Sequence, residues 1–204
     1  MNFCILSLAA LFNLFLSFID YPVCAEPPND NCQRNVSAAQ DIFKALNITD
    51  TYWLYAVNFN RSHTKSRSCT LFNVSHLHKT GMNYSSHYME NGTWWKTEYI
   101  GKFYNSHVDN HSECGGGLYN SFQASETAET WHPRNYTLVF SDYENCSVLS
   151  LPGIWGGIWC MALLTTPAAC TGMPTKCCEA FSDACNDTGI YEVVFDTYCP
   201  NLVK

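Results

Sequence analysis

Charge is scarce in this sequence. Lys, Arg, Asp and Glu make up 14% of its 204 residues, the balance is a net −7, and the basic residues form no cluster. A nucleic-acid binder needs a basic face to neutralise phosphates, so that class is excluded. Long apolar runs are missing after residue 19. The single run that exists, residues 5–19, is short of the roughly 20 residues of a membrane-spanning helix. Repeats and low-complexity linkers are absent too. So are cofactor motifs: Gly115-Gly116-Gly117 is followed by no Lys and opens no helix, so it is no phosphate cradle. His76 and His78 share a strand face, but two ligands do not make a metal site.

What is present is aromatic and rich in cysteine. Tyr, Phe and Trp reach 15%, far from the composition of a disordered chain. Twelve cysteines are too many free thiols for a reducing cytosol and point to a disulfide-rich extracellular protein. The apolar run is followed by Asp20-Tyr21-Pro22 and then Val23-Cys24-Ala25, with small residues placed for signal-peptidase cleavage after Ala25. Residues 1–25 are therefore expected to be a signal peptide, with a signal anchor as the alternative, and residues 26–204 to be one domain, free of the membrane once cleaved. Removing Cys4 and Cys24 leaves ten cysteines, an even number. Sequons agree with secretion. Asn35, Asn47, Asn60, Asn73, Asn83, Asn91, Asn110, Asn135 and Asn186 are potential N-glycosylation sites. Asn145, with Cys146 in the middle position, is a poor one.

Periodicity gives a mostly β chain. Residues 52–57, 70–74, 84–89, 93–104, 118–122, 136–141, 148–151 and 158–164 read as strands. Asn91-Gly92 is a hairpin signal between the third and fourth. A short helical pattern covers 37–46, a helix with Pro174 near its start covers 173–185, and a last strand-like piece covers 191–198. Eight strands in hairpin order suggest an antiparallel up-and-down barrel, with a β-sandwich as runner-up.

A glycosylated Asn faces solvent, and strand side chains alternate faces. Each sequon thus sets the parity of its strand. Asn60 outward puts Trp53, Tyr55, Val57 and Phe59 inward; Asn73 does the same for Phe72 and Val74, Asn83 for Met82, Tyr84, Ser86 and Tyr88, and Asn135 for Tyr136, Leu138 and Phe140. In the 93–103 strand Lys96 and Lys102 prefer water, which leaves Trp95, Thr97, Tyr99 and Phe103 inward. A β-bulge would invert part of any of these strands. The expected ligand-binding residues are Trp53, Tyr55, Tyr84, Tyr88, Trp95, Tyr99, Tyr136 and Phe140, and the tyrosine hydroxyls need partners in the wall, in water or in a ligand. Asp142 is the acidic residue in register with this inward set and the first candidate for holding an amine; the alternative is a turn cap.

Several motifs in order resemble tick salivary lipocalins, the tick histamine-binding protein family. They are Tyr52-Trp53-Leu54-Tyr55, then Tyr136-Thr137-Leu138-Val139-Phe140-Ser141-Asp142-Tyr143 with Cys146-Ser147-Val148-Leu149, then Cys177-Cys178 with a helix to Cys185, and Tyr198-Cys199-Pro200. The resemblance runs from Cys32 to Pro200. It implies an eight-stranded lipocalin barrel with a C-terminal helix packed outside, secretion into a host during blood feeding, and sequestration of histamine, serotonin or eicosanoids. Some members bind complement proteins, so a host protein is the alternative partner. It also implies disulfides joining Cys32 to Cys177, Cys69 to Cys199 and Cys146 to Cys178, and leaves Cys114, Cys160, Cys170 and Cys185 unassigned. The family's amine signature pairs Cys-Asp with a later Glu-Leu-Trp/Tyr. Here Ser147 follows Cys146, and the later strand, Trp159-Cys160-Met161-Ala162-Leu163-Leu164, has no Glu. A buried ammonium needs a carboxylate beside it, so an aromatic pocket of this kind better suits an amphipathic lipid or a neutral aromatic ligand. The spacing of Cys177-Cys178 and Cys185 also matches a secreted phospholipase helix, but Phe181-Ser182 stands where those enzymes carry His-Asp. Phe cannot accept a proton, and no enzyme is expected.

Overall fold

The computed structural model describes residues 40–106, 118–153, 157–185 and 189–202. The expected signal peptide, Cys32, Asn35, Asn110, Cys114, the Gly115–117 turn and Asn186 lie outside them. Eight antiparallel strands follow one another by hairpins: β1 Thr51–Val57, β2 Arg67–His78, β3 Gly81–Glu90, β4 Thr93–Tyr104, β5 Ser121–Glu126, β6 Arg134–Ser141, β7 Cys146–Pro152 and β8 Ile158–Leu164. β8 pairs with β1, and β1 pairs with β2, so the sheet closes on itself. Closure excludes the sandwich. Past Trp53 the pairing with β2 ends, and a two-residue strand, β9 (Glu192–Val193), takes over at Ala56 and Val57. The 191–198 strand is thus shorter than its sequence pattern.

Local chemistry places the turns. Asn91 and Gly92 have φ of 52° and 76°, the left-handed pair that a tight β3–β4 hairpin requires. At the β6–β7 turn Tyr143 is left-handed, and Asp142 Oδ1 accepts the backbone N–H groups of Glu144, Asn145 and Cys146 at 3.0, 2.8 and 2.9 Å.

Helix α1 (Ile42–Leu46) begins where Asp41 accepts the Lys44 N–H at 3.1 Å. Its buried side, Ile42, Ala45 and Leu46, plugs the end of the barrel where β1 starts. Two further helices, α2 (Thr166–Thr171) and α3 (Thr175–Cys185), lie against the outer side of the sheet. The described residues therefore form two apolar cores. One fills the barrel; the other lies between the outer faces of β1, β7 and β8 and the C-terminal helices.

Disulfides staple the second core. Cys69 joins Cys199, Cys146 joins Cys177, and Cys160 joins Cys185. The first is the pairing that the resemblance implied. The second corrects it: Cys146 takes Cys177, not Cys178, and Cys177 is not left for Cys32. On α3, Cys177, Phe181 and Cys185 recur every four residues and form its buried stripe. Cys178, one residue on, points about a quarter-turn away from that stripe; it is itself disulfide-bonded. Cys170 is a free, exposed thiol.

Candidate ligand-binding site

Strand parity builds the cavity. Inside the barrel, Tyr52 faces Phe72 across β1–β2, Val74 faces Tyr84 across β2–β3, and Phe122 faces Tyr136 across β5–β6. Leu149 opposes Met161 across β7–β8, and Leu46 of α1 closes the floor. With Met82 and Leu163 these side chains enclose a cavity with about 40 Å³ open to the centre of a water molecule. That is roughly three waters' worth at 10–15 Å³ each. A larger guest must move side chains, and the thioethers of Met82 and Met161 are the most adaptable in the wall.

The upper part of the cavity is aromatic. Tyr84 stacks on Tyr99 with ring centroids 5.0 Å apart, and Phe122 stacks on Tyr136 at 4.7 Å. Tyr84 meets Phe122 edge-on at 6.4 Å. Burial raises the pKa of Tyr84 and Tyr136, and it raises that of Tyr99 to about 12 with help from the Glu126 charge. These hydroxyls therefore stay protonated and act as donors. Tyr99 donates its O–H to Glu126 Oε1 at 3.2 Å. Arg134 approaches the Tyr136 hydroxyl and opposes the upward shift there.

Of the expected ligand-binding residues, Tyr84 and Tyr136 line the cavity, and Tyr99 backs Tyr84. The others do not reach it. Trp53 and Tyr55 face the outer core: Trp53 donates its indole N–H to Thr166 Oγ1 at 2.9 Å, and both rings pack on Phe195. The parity set from Asn60 is inverted because Asn60 lies beyond the end of β1, and the outer face of β1 is as buried as the inner one. Phe140 turns outward because a bulge between Leu138 and Phe140 shifts the register. Tyr88 lies under the Arg67 guanidinium, 4.1 Å from its ring centre, and Trp95 is 52% exposed. Both stand where β3 and β4 run past the cavity. The Asp142 carboxylate is engaged in the turn described above, outside the cavity lining.

Sequence reasoning missed Tyr52, Phe122 and Glu126. Phe122 falls within the expected 118–122 strand, but that strand holds no sequon to set its parity, and Glu126 lies past its expected end because the strand runs Ser121–Glu126; carrying the alternation on from Phe122 through Ala124 reaches Glu126. A second hollow, polar and of about 350 Å³, lies outside α1 against β2 and includes Asn47, Thr49, Asp50 and Ser75. Leu46 and Val74 border both spaces and form the wall between them. Asn47, Asn60, Asn83, Asn91 and Asn135 are exposed; Asn73 is half-buried and bonded to Thr51 at 3.4 Å. Among the described residues no group of three His, Cys, Asp or Glu could hold a metal ion, and no helix is long and apolar enough to cross a membrane.

No curated protein matches the sequence. Solved structures share the fold. The AM182 serotonin complex superposes with a TM-score of 0.55 at 15% identity, over 83% of this chain and 98% of that one. Japanin from Rhipicephalus appendiculatus, bound to cholesterol, gives 0.52 at 15% identity over 76% and 98%. Lobster apocrustacyanin A1 gives 0.53 at 13% identity over 73% and 77%. The family model of the tick histamine-binding protein matches residues 30–201. A closed eight-stranded barrel with an internal cavity, an outer C-terminal helix and this match make the chain a ligand-binding lipocalin rather than an enzyme, and it belongs to the tick histamine-binding protein family.

Proposed function

We propose that this protein is secreted as a glycoprotein and sequesters a small host mediator of inflammation or haemostasis, an amine or an eicosanoid, inside its barrel. It thereby modulates host defence during blood feeding. One observation carries the reading: the cavity is lined by aliphatic and aromatic side chains, Tyr84, Phe122 and Tyr136 among them. A ligand with an apolar body gains by desolvation there. The solved relatives that carry serotonin and cholesterol give the fold's range in other proteins.

Native mass spectrometry of the deglycosylated protein against histamine, serotonin and eicosanoids tests this. Retention of one mediator at 1:1, lost in Met161→Trp, is the expected result. The alternative is a decoy that binds a host protein, such as complement, through its surface. The narrowness of the cavity favours that alternative. Absence of every small ligand, with capture of a purified complement protein, would establish it instead.

A further inference from the structure

Tyr88 and Trp95 take no part in the cavity, yet they continue the face that lines it. β3 and β4 pair without a register shift along their whole length, and Tyr88 opposes Trp95 as Tyr84 opposes Tyr99. Side chains alternate along a strand, so the two pairs share one face. Tyr88 and Trp95 stand about 13 Å beyond the Tyr84 pair at the rise of an extended strand, toward the Asn91-Gly92 hairpin. β5 pairs with β4 only from Tyr99 onward, so the ribbon projects past it and that flank of Trp95 is open. The Trp95 ring is 52% exposed.

Over Tyr88 lies a cation without a counter-ion. The Arg67 guanidinium is held 4.1 Å from the centre of the Tyr88 ring. It makes no hydrogen bond and no ion pair with any described residue. Its Nε is the one buried side-chain nitrogen or oxygen among the described residues that lacks a partner. Glu90, opposite Arg67 in the β2–β3 register, takes the Ser66 hydroxyl instead. Arg61, close by, shows the contrast. It is 9% exposed, and it meets Glu192 at 3.2 Å and the carbonyls of Thr64 and Arg67 at 2.8 and 2.6 Å. Arg61 is thus fully engaged and pins the main chain of Arg67, while the Arg67 side chain is held only by a ring. A guanidinium that has given up water and gained no acceptor is costly. Contact through the ring face leaves the terminal N–H groups unspent, in a plane that suits a carboxylate.

We propose that Arg67, Tyr88 and Trp95 form a second site, at the rim and outside the cavity, for a small organic anion: a carboxylate on a flat apolar body. The carboxylate takes the terminal N–H groups of Arg67, and the body lies on the exposed Trp95 ring. The first contact neutralises the cation that the fold leaves alone. The second removes apolar ring surface from water. A neutral molecule of the same shape gains only the second, and an inorganic anion only the first, so the site selects for both on one molecule.

Fluorescence titration of the secreted chain with anilinonaphthalene sulfonate, an aromatic monoanion, tests the site. N-phenyl-1-naphthylamine has the same ring frame without the charge. Both are titrated into the wild type and into Met161→Trp, in which the cavity is filled. The anion is expected to bind in both backgrounds. In Met161→Trp, adding Arg67→Gln should weaken it about tenfold or more, and adding Trp95→Ala should weaken it as well. 1-Naphthoate should displace the anion, and 1-naphthalenemethanol, matched in shape but neutral, should not. The thermal midpoint of Arg67→Gln should stay at that of the wild type, since the side chain gives up no hydrogen bond. Anion binding that survives Arg67→Gln, or that is abolished by Met161→Trp alone, overturns the rim site. So does an equal loss of the neutral probe in Arg67→Gln, or a lowered midpoint with the anion bound as tightly as before.

Discussion

Tyr52 donates its hydroxyl to the carbonyl of Ala45 at 3.1 Å and accepts the N–H groups of Ile48 and Thr49 at 3.2 and 3.3 Å. One phenol therefore ties the first strand to the helix that floors the cavity and caps that helix's C-terminal end. The ring is 1% exposed, so water cannot replace it. Tyr52→Phe keeps the ring and leaves a buried carbonyl and two N–H groups without this partner. The expected loss is about 1–3 kcal/mol, read as a lower urea midpoint with the m-value unchanged. An unaltered midpoint would show that α1 does not depend on this contact.

Asn58 plays the matching part at the outer core. It is fully buried and clamps three backbone groups: its amide donates to the carbonyls of Ile158 at 3.1 Å and Cys185 at 2.7 Å, and its oxygen accepts the Cys160 N–H at 2.6 Å. It thus holds β8 and the end of α3 beside their disulfide. Asn58→Leu removes these bonds and buries the stranded backbone groups. A destabilisation of about 3 kcal/mol or more is expected, with reduced secretion as the cellular readout. Asn58→Asp, which can keep the contact to Cys160, should also destabilise because it cannot donate to the two carbonyls.

These two residues also mark how far the sequence was legible. Where one face of a strand meets water, alternation worked: Asn73, Asn83 and Asn135 correctly put Phe72, Tyr84 and Tyr136 inward. Where both faces are buried it carried no sign. Tyr52 faces the barrel and Trp53 the outer core, both almost fully buried, and nothing in the sequence of β1 announces that α2 and Phe195 cover its outside. Phe140 and Glu126 failed for a different reason, since a bulge and a strand end are set by register with neighbours. Glu126, the acceptor of the Tyr99 hydroxyl, was lost with that strand end.

Alkaline pH should destabilise the protein ahead of ordinary tyrosine titration. Burial raises the pKa of Tyr84 well above 10, and of Tyr99 to about 12. The unfolded chain titrates these groups near 10. Between about 10 and 12 the folded state therefore holds protons that the unfolded state has lost, and the linkage slope is negative. Stability is full below pH 10 and is lost as pH rises through the folded values. Absorbance at 295 nm should show exposed tyrosines ionising first and the remainder ionising with the loss of near-UV circular dichroism. A single titration near pH 10 with the fold intact would contradict the buried cluster.

The cysteine pairing distinguishes Cys177 from its neighbour. Non-reducing peptide mapping should recover Cys146 linked to Cys177, and Cys160 linked to Cys185. Cys177→Ser should release Cys146 as a free thiol, whereas Cys178→Ser should leave Cys146 bonded. Loss of the Cys146–Cys177 bridge unfastens α3 from β7 beneath a fully packed stripe. A cost of about 2–4 kcal/mol is expected from the released chain entropy. Of the three bridges whose two ends lie among the described residues, Cys69 with Cys199 closes the longest loop, 130 residues apart in sequence, and its removal should cost the most of the three, since stabilisation grows with the length of the closed loop. Equal midpoints for the two single-bridge deletions would mean that native packing, not loop length, sets their contribution.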